Sequence, residues 1–252
     1  MTKLAIASEW TKFWSVRATW WCLGSGALMM TLYAVVSGLS QQPDGDRPQA
    51  AHGIALTGAV YLVEFFVIAA ATLFVTSEYA SGSIRSTLQW VPVRSRVIVA
   101  KAAVLVPVLF AFGVLVSALG TGVATLAMSN GGLPSTFGQA TSTALGMGAY
   151  FALLGLLCQG IAFMLRSAAG TLVMTIVLLL PLPLVLSQSV SREASDYFPA
   201  FAGIYSMVPS GENEPLFGGV PPYSPLIGVL VCLAWAAAGL FGGTMLLKRR
   251  DA

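Results

Sequence analysis

Six stretches of this sequence stay apolar for longer than a soluble domain tolerates: residues 19–39, 54–76, 97–128, 140–165, 168–187 and 224–247. A helix needs about 20 mostly apolar residues to cross a bilayer core, and it must satisfy its own backbone amides there. Composition agrees. The 252-residue chain is 56% hydrophobic and only 9% charged, where a soluble domain is about a quarter charged. No run alternates like a strand over a whole span, which argues against a transmembrane barrel. The expected fold is an all-α integral membrane protein, a single domain over residues 1–252 with six transmembrane helices.

The basic residues orient the spans, because cytoplasmic loops collect Lys and Arg. With both termini in the cytoplasm, the inside holds Lys3, Lys12, Arg17, Arg85, Arg94, Arg96, Lys101, Arg166, Lys248, Arg249 and Arg250, and the outside only Arg47 and Arg192. The acids lean the other way: Asp44, Asp46, Glu193, Asp196, Glu212 and Glu214 fall outside. The third run is long enough to tilt, or to begin as an interfacial helix.

Residues 1–17 do not read as a signal peptide, since aromatics crowd the segment and no small-residue cleavage site follows. Ile6, Trp10, Phe13 and Trp14 recur at helical spacing, with Glu9 and Lys12 elsewhere. That pattern predicts an in-plane helix with aromatics toward lipid and charge toward water. Between the fifth and sixth runs, residues 188–223 hold too many aromatics for a free loop. They are expected to pack back on the outer face as short helices or a re-entrant segment.

The missing chemistry narrows function. No phosphate-cradling G-x-x-x-x-G-K-[ST] string occurs, so the chain has no nucleotide loop of its own. The one histidine, His52, falls in the first outer loop, which leaves no metal set and no evident Ser–His pair. Cys22, Cys158 and Cys232 fit no zinc spacing and read as small hydrophobes. The basic residues form no stripe suited to nucleic acid. Catalysis in this chain is not expected.

Three features stand out inside the spans. Glu64 is the one charge deep in a run, about 15 Å in at the helical rise; it reads either as a substrate-path or proton-linked carboxylate, or as a protonated group bonding across a helix pair. Pro181 and Pro183 break the fifth run, as a hinge beside a translocation path or as a fixed bend. Gly239-x-x-x-Gly243 permits close helix approach, more naturally within the chain than between copies.

Residues 77–96 are polar and basic between two apolar runs. Ser81-Gly82 end the second span, Ser83 can cap a new helix, and Ile84, Leu88 and Val91 line one face. Pro92 stops it, and Arg94 and Arg96 reach the inner headgroups. The spacing predicts a short amphipathic cytoplasmic helix.

The strings SEWTKFWSVRATWW (8–21), SEYASGSIRSTLQWVPVRSRVIVAKA (77–102), LRSAAGTLV (165–173) and YFPAFAGIYSM (197–207) together resemble the ABC-2 type permeases, the membrane subunits of bacterial ABC exporters, in particular actinobacterial ones. The resemblance covers nearly the whole chain, and its most specific part is the E-Y-x-x-G-[ST]-I-R…P…R…K string. It implies a six-helix unit in the bacterial plasma membrane that pairs with a second copy or a homologous permease. It also implies two copies of a separate ATP-binding subunit, with ATP and Mg bound there and no cofactor on this chain. By the same resemblance residues 77–96 hold the coupling helix. Ile84, Leu88 and Val91 would seat in the ATPase, Gly82 and Pro92 bound the helix, Arg85, Arg94 and Arg96 make polar contacts, and Arg166 adds a smaller one. Glu78 would pair with a basic neighbour to fix the segment's angle. The implied activity is ATP-driven export by alternating access. The apolar interior favours a lipophilic or amphipathic cargo such as a drug, an antibiotic or a lipid-like molecule, which brings multidrug efflux and antibiotic resistance into view. Two other readings stay open: a self-sufficient secondary transporter or channel using Glu64, and a non-transporting immunity or assembly subunit.

Overall fold

The computed structural model describes residues 2–41, 49–84, 89, 94–128, 132–133, 135–189, 191–216 and 218–249, with backbone alone for Thr2, Lys3, Arg94 and Lys248. The chain is all-α. Helix α1 (Thr2–Ser15) precedes α2 (Arg17–Leu39). The second span runs continuously through α3 (Ala51–Gly58), a wide π turn (Ala59–Val63) and α4 (Glu64–Ala80). Then follow α5 (Arg94–Ala127), α6 (Phe137–Leu165), α7 (Ala168–Leu179), α8 (Pro181–Ser189), α9 (Arg192–Asp196), α10 (Pro199–Met207) and α11 (Pro225–Arg249). Among the described residues, six helices are long and apolar enough to cross a membrane, as the apolar runs predicted.

Local chemistry sets the boundaries. Gly82 takes φ +71° just past the end of α4, a left-handed conformation that glycine adopts without Cβ strain. Thr136 and Gln139 form a reciprocal capping box at the start of α6. The fifth span divides at Leu180, and Pro181 opens the next helix, a first-turn position where its missing N–H costs nothing. Helix α5 holds 34 residues, about 51 Å at 1.5 Å per residue, against a bilayer core of about 30 Å. A helix of that length must tilt or extend past the apolar layer.

Helix α6 is the centre of the packing. It touches α3, α4, α5, α7, α10 and α11, and 72% of its most apolar stretch is buried, against 28% for the first, fifth and sixth spans. Glycine permits two close backbone-to-backbone approaches. A Cβ on Gly160 would stand 2.3 Å from the Gly239 carbonyl carbon, so α6 and α11 meet backbone to backbone. Gly239 and Gly243 thus serve packing within the chain. A Cβ on Gly146 would stand 2.2 Å from the Ser206 carbonyl oxygen, which seats α10 against α6.

The aromatic segment before the sixth span folds back as α9 and α10, with Ala202, Ile204 and Met207 in the core. Tyr205 donates a hydrogen bond to Asp196 (2.8 Å), and Trp235 of α11 donates to the Tyr197 carbonyl (2.9 Å). Burial, with the Asp196 contact, pushes the Tyr205 phenol above its ordinary range.

Candidate functional site: a buried charge cluster on the α1 face

Two spans bring the second half of α1, the end of α4 and the first turns of α5 to one face of the bundle. There four charged side chains converge, although they lie far apart in sequence. Lys101 Nζ donates to Glu9 Oε2 (2.7 Å), to Glu78 Oε1 (3.1 Å) and to the Phe74 carbonyl (3.3 Å). Lys12 Nζ donates to Glu9 Oε1 (2.7 Å) and to Glu78 Oε1 (2.8 Å). Lys101 is fully buried, Glu9 and Glu78 nearly so, and Lys12 alone reaches solvent. The Lys101 ammonium also lies 4.2 Å from the centre of the Phe74 ring, and Phe13 packs edge-on against that ring at 5.0 Å. Two cations against two carboxylates make the cluster neutral, the condition under which buried charge is tolerable. Burial lowers the Lys12 pKa, but hydrogen bonds to Glu78 and Glu9 outweigh it and leave the value raised above 10.5. Glu78 Oε2 is buried and has no hydrogen-bond partner among the described residues.

This geometry corrects the reading of α1. Its aromatics do not all face lipid: Phe13 is fully buried, Ile6 and Trp14 pack on the core, and only Trp10 stays largely exposed. Glu9, one turn before Phe13, points inward with it. Charge at the inward face is possible because α5 delivers Lys101 there. The helix is therefore locked to the bundle through one face.

The segment that follows is only partly described. Ser81 and Ser83 hydroxyls lie 2.9 Å apart, and Arg96 is exposed. Ile84 is already buried within this chain, which corrects its expected place on a partner-facing surface. Arg85, Leu88, Val91 and Pro92 lie outside the described residues, as does the side chain of Arg94. Arg166 ends α6 at φ 54° and stacks over the Tyr79 ring at 5.5 Å, on the same face as the cluster.

Midway along the second span, Tyr150 of α6 donates to Glu64 Oε2 at 2.9 Å, and both are buried. The π turn just before Glu64 inserts an extra residue per turn, which rotates the following face by about 100°. The carboxyl thus bonds across a helix pair. Pro183 is buried and Pro181 exposed at the break in the fifth span; no described contact joins either to Glu64.

At the opposite face His52 is the second residue of α3, not a loop residue, and it is buried. Burial is possible because both ring nitrogens are partnered, Nε2 by Glu212 Oε2 (2.7 Å) and Nδ1 by the Ser135 hydroxyl (3.0 Å). Gln139 Nε2 donates to the other Glu212 oxygen at 2.6 Å. The lone histidine therefore does meet a serine, contrary to expectation.

Residues 5–181 match the family model described as ABC-2 family transporter protein. The chain belongs to that family. No curated protein sequence matches it significantly. Membership makes the chain a non-enzymatic membrane component, the permease of an ABC transporter, and implies an ATP-binding subunit in the same transporter. The charge cluster then acquires a setting: it fastens α1 to the last turn of the second span, directly before the segment that resembles a coupling helix.

Proposed function

We propose that this permease exports a lipophilic or amphipathic molecule by alternating access, driven by ATP and Mg bound on a separate subunit. The observation that carries the reading is the buried Glu9–Lys12–Glu78–Lys101 cluster in a chain of this family. It fixes the base of segment 77–96 to α1 and α5, so that a push on the segment is delivered to helices and not absorbed by a slack loop. In this reading the α1 face is cytoplasmic and the membrane is the bacterial plasma membrane. Two permease copies stand on two ATP-binding subunits. Ile84 anchors the segment to its own chain, while Arg85, Leu88 and Val91 meet the partner, Arg94 and Arg96 lie at the headgroups, and Arg166 adds a second contact. The low density of fixed charge in the spans favours a greasy cargo over an ion or sugar, because isolated charge in hydrocarbon is costly. Glu64, bonded to Tyr150, then serves helix pairing, and the bend at Pro181 and Pro183 lies beside the pathway.

Leu88→Asp and Arg85→Glu test this. Both variants are expected to insert normally, to lose at least about tenfold of the co-purifying ATP-binding subunit, and to lose stimulated ATP hydrolysis. Unchanged co-purification and stimulation in both would remove the coupling assignment.

A further inference from the structure

The exposed side of α2 carries a groove of about 400 Å³, lined by Trp20, Trp21, Gly24, Ser25 and Leu28. At 100° per residue, Arg17, Trp21, Gly24 and Leu28 fall within about 60° of one another on the helix, and Trp20 and Ser25 flank them. The groove therefore has a largely apolar lining and a cation at its head. A Cβ on Gly24 would meet nothing within 4 Å, so the absent side chain is what opens the slot. From Arg17 to Leu28 the helix rises about 16 Å at 1.5 Å per residue, the depth of one leaflet of an apolar core about 30 Å thick. We infer that this groove binds one anionic phospholipid, with the phosphate on Arg17 and one acyl chain laid along Trp21, Gly24 and Leu28.

One wall is fixed before any lipid arrives. Trp20 Nε1 donates to the Trp14 carbonyl at 2.9 Å, and the two indoles pack with centres 4.9 Å apart. Trp14 is braced in turn by Trp10 at 5.8 Å and by the fully buried Phe13 at 5.2 Å. A ring held in this way loses little freedom when a ligand packs on it, which favours binding. Trp21 and Leu28 are 74% and 55% exposed. In a membrane chain such surface lies against acyl chains, and tryptophan suits the boundary where its N–H can meet a headgroup. The Trp21 indole has no hydrogen-bond partner among the described residues, so its N–H can serve a headgroup oxygen. Charge selects that headgroup. Arg17 is exposed and takes part in none of the ion pairs among the described residues. A guanidinium matches a phosphate with two parallel donors. Glu9 is the one acid of α1 and α2, and it is buried in the charge cluster. The ammonium of a zwitterionic lipid would therefore find no carboxylate on these two helices, whereas an anionic headgroup meets only positive charge.

Native mass spectrometry of the delipidated full chain in detergent tests the site, by titration with dioleoyl phosphatidylglycerol and, separately, with dioleoyl phosphatidylcholine. The acyl chains are identical, so the comparison isolates the headgroup. One basic group near an anionic lipid favours it by about fivefold, and the first phosphatidylglycerol should bind more tightly than the first phosphatidylcholine by about that factor. Arg17→Gln should erase the preference. Gly24→Leu fills the slot where no atom stands within 4 Å, so it should leave Tm unlowered while weakening the first phosphatidylglycerol at least as much as Arg17→Gln does. Arg249→Gln removes an exposed arginine at the end of another span and should leave the preference intact. The site is overturned by equal binding of the two lipids to the parent, by a preference that survives Arg17→Gln or binding that survives Gly24→Leu, or by an equal loss in Arg249→Gln, which would mark diffuse attraction. A second copy seated on the groove would overturn it as well; Gly24→Leu would then convert dimer mass to monomer mass with lipid binding unchanged. The readout needs neither cargo nor ATP, so it stands apart from the export reading.

Discussion

Replacing Lys101 by Met removes the one fully buried cation of the α1 face while nearly preserving side-chain volume, which isolates charge from packing. Lys101 stands 2.7 Å from Glu9 and 3.1 Å from Glu78. At an effective dielectric of about 20, each of those pairs attracts by roughly 5–6 kcal/mol. Desolvation of several kcal/mol per ion offsets much of that while the cluster is whole. Once Lys101 is gone, the desolvation cost of the carboxylates remains, and only half-exposed Lys12 opposes two negative charges. Breaking a buried pair in this way costs about 3–5 kcal/mol, which for a chain of this length corresponds to a fall of roughly 10 °C in Tm. Thermal unfolding of the purified permease in detergent reads the loss. The triple variant Lys101→Met, Glu9→Gln, Glu78→Gln removes the stranded charges and should recover most of it. A Lys101→Met protein that melts within about 2 °C of the parent, or a triple variant no better than the single, would refute the electrostatic account of the cluster.

Two further outcomes follow from particular contacts. Gly160→Ala places a Cβ 2.3 Å from the Gly239 backbone, so it should lower Tm by several degrees, at a cost of about 1–3 kcal/mol for overpacking; Gly122→Ala, with nothing within 4 Å, should hold or slightly raise Tm through helix propensity. Lys12 has a folded-state pKa raised above 10.5, so its stabilisation is complete below that value and fades as pH climbs through the raised one; Tm measured from pH 9 to 12 should fall less steeply for Lys12→Gln than for the parent.

What could be read in the sequence was what depends on near neighbours. Spanning helices announce themselves by unbroken apolar length, the end of α4 by Ser81-Gly82, and the folded-back segment by aromatics such as Tyr197, Phe198, Phe201 and Tyr205 that a free loop would not carry. The charge cluster depends on pairs such as Glu9 with Lys101, 92 residues apart, and no periodicity connects them. Amphipathic reasoning failed on α1 for that reason. It assumes that carboxylates face water, and it cannot see a buried ammonium arriving from another helix. His52 was misplaced by the same blindness, since Ser135 and Glu212 become its neighbours only when α6 and the segment after α10 come together. Eight residues of the coupling segment, 85–88 and 90–93, lie outside the described residues, and sequence resemblance carries that assignment.

The second span joins these observations. It carries three buried polar anchors on one continuous helix: His52 near its start, Glu64 after the π turn, and Glu78 in its last turn. Each is held by a different part of the chain: His52 by Glu212 after α10 and by Ser135 just before α6, Glu64 by the middle of α6, and Glu78 by α1 and α5. His52 and Glu78 lie about 39 Å apart along the helix at 1.5 Å per residue. A helix pinned at three heights to different neighbours cannot slide as a rod without breaking a buried hydrogen bond. Its one irregular turn, Ala59–Val63, lies between the first anchor and the second, and a π turn is where a helix can change register at least cost to its backbone bonds. Helix α6 meets the second span at two of these heights, through Tyr150 on Glu64 and through Gln139 on the Glu212 that holds His52.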